Sequence, residues 1–374
     1  MTSIPYGGGL VLFDEPGQRL HILNSGAAAI WTLVDAGLSK AEAADAIAAH
    51  AGLSPEEAEM HVDVISWLWN PPPSASRPAP AMPPREISRE ISDAGPPKLY
   101  RIGGTGFGFS CDDDETWLRV EFALSDCIDP AAAPSFLLHV TAEEQGEMEL
   151  LKDGVPLLAS SDGGEMAGAV FQAVLEGVHA GIDWLGLMHG AAVARDDGAI
   201  LIPGASGAGK STLAAFLAAQ GYSYLSDDLI ALRADGRVMP WPTPFSIKRG
   251  SWPVLRPLYP ELDDLDEIHL LNRRIKFVPA GRAPWATPPQ PVRAIVFPEH
   301  AQTKAPVVEP VAPLDVLARL AGERLWLGNP MIEERVRRFL DWLETIPAWH
   351  IVYPDLETAG RQIGGISERS IAAA

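Results

Sequence analysis

Eight consecutive residues, Gly204-Ala205-Ser206-Gly207-Ala208-Gly209-Lys210-Ser211, have the composition and spacing of a loop that grips phosphate. The glycines let the backbone turn tightly, so that N–H groups point inward around an anion. Lys210 can reach β- and γ-phosphates as a mobile point charge, and Ser211 can offer its hydroxyl to Mg2+. Apolar residues 199–202 precede the loop and a helix-forming run, residues 212–220, follows it. A strand, a glycine loop and a helix N-terminus are the context this pattern needs, because the helix end adds unpaired donors and a favourable dipole. The expected cofactors are ATP, or another nucleoside triphosphate, and Mg2+. The nucleotide-binding residues would be Gly204, Ala205, Ser206, Gly207, Ala208, Gly209, Lys210, Ser211 and Thr212.

Two further features could act on the bound phosphates. Residues 222–225 read as a strand ending in Ser226-Asp227-Asp228. Adjacent residues of a strand point to opposite faces, so the two carboxylates should not share one task. One could hold Mg2+, which makes Ser211 and Asp227 the candidate metal residues. The other, Asp228, could take the proton of an acceptor hydroxyl. His189 stands before the apolar run that leads through a turn at 195–198 to the loop strand. The candidate catalytic set is Asp228, Asp227, His189 and Lys210. Downstream, Lys248, Arg249, Arg256, Arg273, Arg274, Lys276 and Arg282 form an unusually basic stretch. Lys248, Arg249 and Arg273 are candidates for balancing charge on a γ-phosphate. Residues 241–245 (Trp-Pro-Thr-Pro-Phe) could wall the site, although core packing explains them more simply.

The elements that must position these residues divide the chain. It has 374 residues, 47% hydrophobic and 21% charged, with a formal net charge of -20. That suits about two domains. Such acidity argues against nucleic acid or an anionic membrane as partner, since both need clustered cations. The two cysteines, Cys111 and Cys127, make no metal framework and suit a reducing compartment. No signal peptide and no transmembrane run is expected, so the reading is a cytoplasmic protein.

Prolines at 71–73, 78, 80, 83, 84, 96 and 97 mark residues 71–97 as an extended linker. Before it, residues 1–70 hold strand-like runs at 10–13 and 20–23, then three helical segments. Ser25 can cap the first. Ser39 with Glu42, and Ser54 with Pro55 and Glu57, form capping boxes for the others. Ala58, Val62, Ile65 and Trp69 share one face of the third helix. This module has two basic residues, Arg19 and Lys40, against nine acidic ones, and no catalytic set, which favours binding over catalysis. After the linker, residues 98–374 open with strand-like runs at 116–124 and 135–140 among acidic turns, Asp112, Asp113 and Asp114 being the densest. A metal or basic-peptide site is the functional alternative for that run, and a solvated turn is the simpler account. Helices are expected at 166–180 and 330–343, and a late strand at 292–297.

The order of these pieces carries two resemblances. Residues 8–70, with Leu23-Asn24-Ser25 and Ala28-Ala29-Ile30-Trp31, look like the PqqD family of peptide chaperones. That resemblance implies a small winged-helix fold that binds the leader of a ribosomally made precursor peptide as an added β-strand. An exposed sheet edge offers unpaired backbone groups to such a peptide. A generic helical domain serving only oligomerisation is the alternative. Residues 186–232, which place His189, then Gly204 to Ser211, then Asp227-Asp228, are similar to the core of HPr kinase/phosphorylase. This implies an α/β P-loop kinase with a central mixed sheet, flanking helices and extra strands from 98–160. It implies phosphate transfer to a serine hydroxyl, with Asp228 as base and His189 close to it. Thr212 stands where that family often has glutamate, and the family's later Glu- and Gly-rich signature is missing. HPr recognition, the reverse reaction and homo-oligomeric assembly therefore stay open. The combined expectation is a serine kinase acting on a captured precursor peptide. A small-molecule hydroxyl kinase, and an ATP-dependent peptide chaperone with water as the only acceptor, are the alternatives.

Overall fold

The computed structural model describes residues 1–66, 96–102, 104–142, 146–196, 198–205, 207–241, 243–270, 273–280, 287–328 and 330–372. Trp69, Ser206, Arg282 and nearly all of the expected linker lie outside them.

The N-terminal module is a three-stranded antiparallel sheet followed by three helices. Its strands are Thr2–Tyr6, Gly9–Asp14 and Arg19–Leu23, in that spatial order. The first of these is an addition to the expected pair. Helices Ser25–Asp35, Lys40–Ala51 and Pro55–Ser66 follow. Asn24, rather than Ser25, caps the first: its side chain accepts the Ala27 N–H. The Ser39–Glu42 capping box is present, and Ser54 and Glu57 bond reciprocally in the same way. Ala58 and Val62 are buried on the shared face of the third helix.

Alternation along the middle strand sends its side chains to two different cores. Leu10 and Leu12 pack with Leu23, Trp31 and Ile65 inside the module. Val11 and Phe13, with Ile4 and Tyr6, join the core of the large domain beside Leu317, Val336 and Phe339. Polar contacts fasten the same seam. Thr2 Oγ1 donates to Glu333 at 3.0 Å, and Gln18 Nε2 donates to the Met331 carbonyl at 3.1 Å. The module is thus seated on the large domain rather than held apart from it.

The large domain is mixed α/β. A five-stranded sheet runs in sequence order through Lys98–Ile102, Thr105–Cys111, Pro134–Ala142, Met148–Lys152 and Val155–Ser160. Its one parallel pair, the second and third strands, is joined by the helix Asp114–Ala123. Residues 116–124, expected as strand, are therefore mostly helical. Asp113 caps the helix by accepting the Thr116 N–H at 2.7 Å, and Glu115 pairs with Arg119 one turn on. The buried residues Thr116, Val120 and Leu124 recur at the four-residue spacing of a helix face. The aspartate run is a helix start rather than a solvated turn. Helix Gly163–Val178 packs on the same sheet.

A ten-stranded mixed sheet forms the centre. The loop strand Gly198–Pro203 lies between Gly190–Arg195, antiparallel, and Gln290–His300, parallel. The long strand Gln290–His300 also pairs with Ala348–Tyr353 at one end and Arg237–Met239 at the other. Helices Lys210–Ala219 and Leu356–Ala372 pack against one face through Leu213, Phe216, Ile363 and Ile366. Helices Pro313–Gly322 and Glu333–Glu344 cover the other face together with the N-terminal module. The last of these starts three residues later than expected. Among the described residues no helix is long and apolar enough to cross a membrane.

Candidate active site

The glycine-rich loop leaves the end of strand Gly198–Pro203 and enters helix Lys210–Ala219, the local order read from sequence. Gly204, Gly207 and Gly209 have φ of 147°, 98° and 89°, where side chains are strained. Gly190, on the neighbouring strand, matters for a different reason. A Cβ there would lie 2.9 Å from the Ile202 carbonyl oxygen and from the Pro203 backbone.

Lys210 folds back over the loop. Its ammonium donates to the carbonyls of Gly204, at 2.5 Å, and Ala205, at 3.0 Å. Burial pulls its pKa down, while the carboxylates of Asp228 and Asp227 oppose that effect. Ser211 Oγ donates to Asp227 Oδ1 at 3.1 Å. Thr212 turns away to Ser251, with 2.6 Å between the two hydroxyl oxygens.

The two aspartates meet opposite environments. Asp227 is 1% exposed. Its Oδ2 accepts the Ser246 N–H at 3.2 Å, and its carbonyl accepts the Thr243 hydroxyl at 3.2 Å. Burial, then the negative charge of Asp228, push its pKa up to about 7. Asp228 is exposed and has φ of 68°. The opposite placement of the two carboxylates expected from strand alternation is present, but its origin differs. The strand ends at Ser226, and a left-handed turn carries Asp228 into the open.

His189 sits beside that turn. Its Nδ1 lies 3.0 Å from the Asp228 carbonyl oxygen. A carbonyl can only accept, so Nδ1 carries the proton and Nε2 of the neutral ring keeps its lone pair. Burial and the charge of Lys210 lower the histidine pKa, against an opposing pull from Asp228. The contact is therefore with the backbone of Asp228 rather than its carboxylate.

These residues line one cleft of about 760 Å³. The glycine loop, Lys210, Ser211, Asp227, Asp228 and His189 form one side. Helices Asp114–Ala123 and Gly163–Val178 supply the facing wall through Arg119, Ala167 and Phe171. Of the three expected cations, Lys248 lines the cleft and Arg249 does not; the Arg273 side chain lies outside the described residues. Two arginines that sequence reasoning missed, Arg119 and Arg324, also line it. Neither carries a local motif. Trp241 and Phe245 are 1% and 3% exposed, so core packing accounts for both, although Trp241 and Thr243 also border the cleft. Among the described residues no cluster of three or more His, Cys, Asp or Glu is arranged to hold a metal ion.

Residues 9–65 match the model of the family described as coenzyme PQQ synthesis protein D (PqqD). The match runs from the middle strand of the N-terminal sheet to the end of its third helix, so this module is PqqD-like. No curated protein matches the chain.

Proposed function

We propose that this chain is an ATP-dependent kinase that transfers the γ-phosphoryl group to a serine hydroxyl of a ribosomally made precursor peptide. The observation that carries the reading is the split between the two aspartates. One is buried and bonded to the serine of the glycine loop; the other is exposed at the cleft. A site that only bound nucleotide would need the first and not the second.

Each residue then has a separate task. Loop N–H groups and Lys210 hold the phosphates, and Lys210 exchanges its two carbonyl partners for phosphate oxygens. Mg2+ prefers oxygen ligands and takes only one or two from protein when phosphates supply the rest. Asp227 and Ser211 fit that donor set, since a buried carboxylate already shares a hydrogen with the loop serine. When bound, the ion would neutralise charge on the β- and γ-phosphates. The acceptor oxygen attacks phosphorus while the bond to the β–γ bridging oxygen breaks, and ADP leaves with that electron pair. Asp228 takes the hydroxyl proton. His189 holds the Asp228 turn through its backbone carbonyl.

The PqqD-like module supports a peptide acceptor. Among the described residues, neither Thr2–Tyr6 nor Arg19–Leu23 pairs with another strand on its outer edge. Either edge could take an extended leader by strand addition. Tethering would raise the local concentration of the acceptor serine. The test compares a precursor peptide with the same peptide lacking its leader. Loss of the leader should raise KM about tenfold or more with kcat little changed. Equal KM values would remove the module from peptide capture. They would favour the small-molecule kinase, a reading to which the module's firm seating on the core also lends weight.

A further inference from the structure

Five described non-glycine residues have left-handed backbones: Gln18, Asp153, Asp196, Asp228 and Arg324. Two of them, Asp228 and Arg324, line the cleft. Aspartate tolerates this conformation because its short side chain can bond locally, whereas arginine has no such compensation. Strain of this kind persists where the surrounding structure fixes it, and it clusters at functional sites.

His189 fixes both turns. Its ring Nδ1 meets the Asp228 carbonyl at 3.0 Å, and its backbone N–H donates to the Arg324 carbonyl at 3.3 Å. Arg324 lies between helix Pro313–Gly322 and strand Leu325–Trp326, which pairs beside the strand leading to His189. Its side chain is exposed. Among the described residues its guanidinium makes no hydrogen bond or ion pair, yet its charge is felt at His189 and at Asp162 on the facing wall. Arg119, the other arginine of the cleft, already holds Glu115 at 2.6 Å.

We propose that Arg324 is a catalytic residue that binds the phosphoryl group in transit between ATP and the acceptor. The assignment rests on the kinase reading above. As the bond from phosphorus to the bridging oxygen breaks and that to the acceptor oxygen forms, negative charge is spread over the three remaining oxygens. A planar guanidinium can meet two of them at once, which an ammonium cannot. The backbone strain places that fork in the cleft beside His189, and no carboxylate among the described residues is paired with it.

The test uses ADP with aluminium fluoride and Mg2+, a mimic of the group in transit that needs no acceptor. Wild-type protein should bind this mimic more tightly than ADP. Arg324→Ala should lose at least about tenfold in affinity for the mimic, keep its affinity for ADP, and lose about 10³-fold in kcat for phosphoryl transfer. Arg324→Lys should recover only part of the loss. Arg324→Gly relieves the left-handed strain, so it should unfold no more easily than wild type while showing the same loss as alanine. A wild-type preference for the mimic that survives intact in both Arg324→Ala and Arg324→Gly overturns the assignment and leaves the kinase reading standing. A wild-type protein that binds ADP but shows no preference for the mimic overturns both.

Discussion

The hydroxyl of Ser211 donates to the carboxylate of Asp227 across 3.1 Å, tying the first turn of the helix after the glycine loop to the end of a buried strand. That bond sits in a place where an ionised carboxylate is costly. With its pKa pushed up to about 7, Asp227 keeps a proton in the folded chain over a range where the unfolded chain has lost it. Its contribution to stability is therefore complete below about pH 3.8 and is lost as pH rises through about 7.

Asp227→Asn removes that loss while preserving shape: the amide can accept from Ser246 and donate to Ser211. The nucleotide-free variant should melt higher than wild type at pH 8, by about 1–2 °C per kcal/mol released for a chain of this length. Its Mg2+ affinity in the presence of nucleotide should fall about 10–100-fold. Thermal unfolding with and without Mg2+ and ATP separates the two effects. A lower melting temperature without ligand would show that the charge is not the cost it is taken to be.

His189 gives the opposite pH dependence. Burial and Lys210 depress its pKa, so the folded state favours the neutral ring. Its contribution is complete above about pH 6.5 and is lost as pH falls through the depressed value. His189→Asn can still offer a donor to the Asp228 carbonyl, whereas His189→Ala cannot. The alanine variant should lose more kcat than the asparagine variant, with ATP affinity changed little in both. Equal losses would mean that the bond to the Asp228 turn is not what His189 contributes.

The seating of the N-terminal sheet makes a third expectation. Phe13 is fully buried against the large domain, so Phe13→Ala should cost about 3–5 kcal/mol and lower the melting temperature of the whole chain in one transition. Deleting residues 1–66 uncovers the partners of Ile4, Tyr6, Val11 and Phe13 together, and should give an aggregating protein. Two separate unfolding transitions, only one of them shifted by Phe13→Ala, would contradict this seating.

Much of the site was legible in the sequence because its parts are contiguous. The loop strand, the glycines and the helix start follow one another, so their types and spacing carry the geometry. Asp227 and Asp228 do face different surroundings, but the turn that separates them has no sequence signature beyond the pair itself. Helix Asp114–Ala123 was misread because Trp117, Val120 and Phe122 favour strands, while its helical burial spacing is sparse. The seating of the module was written in the unbroken run Leu10-Val11-Leu12-Phe13, which suits a strand buried on both faces rather than one exposed on one side. Arg119 and Arg324 could not be found this way. Arg119 lies on helix Asp114–Ala123 and Arg324 in the turn before strand Leu325–Trp326, and only the packing of the two sheets and their helices brings both to the same cleft.

The most direct test of the central claim follows labelled phosphate. The protein is incubated with Mg2+, γ-labelled ATP and a panel of short serine-containing peptides, including any encoded beside its gene, with Asp228→Asn alongside. With a serine-containing peptide that the protein binds, label should appear on the peptide serine with wild type and fall about 10²–10⁴-fold with Asp228→Asn, while ATP binding stays nearly intact. Label found only in inorganic phosphate, with ATP bound and every peptide unmodified, would contradict the serine-kinase account.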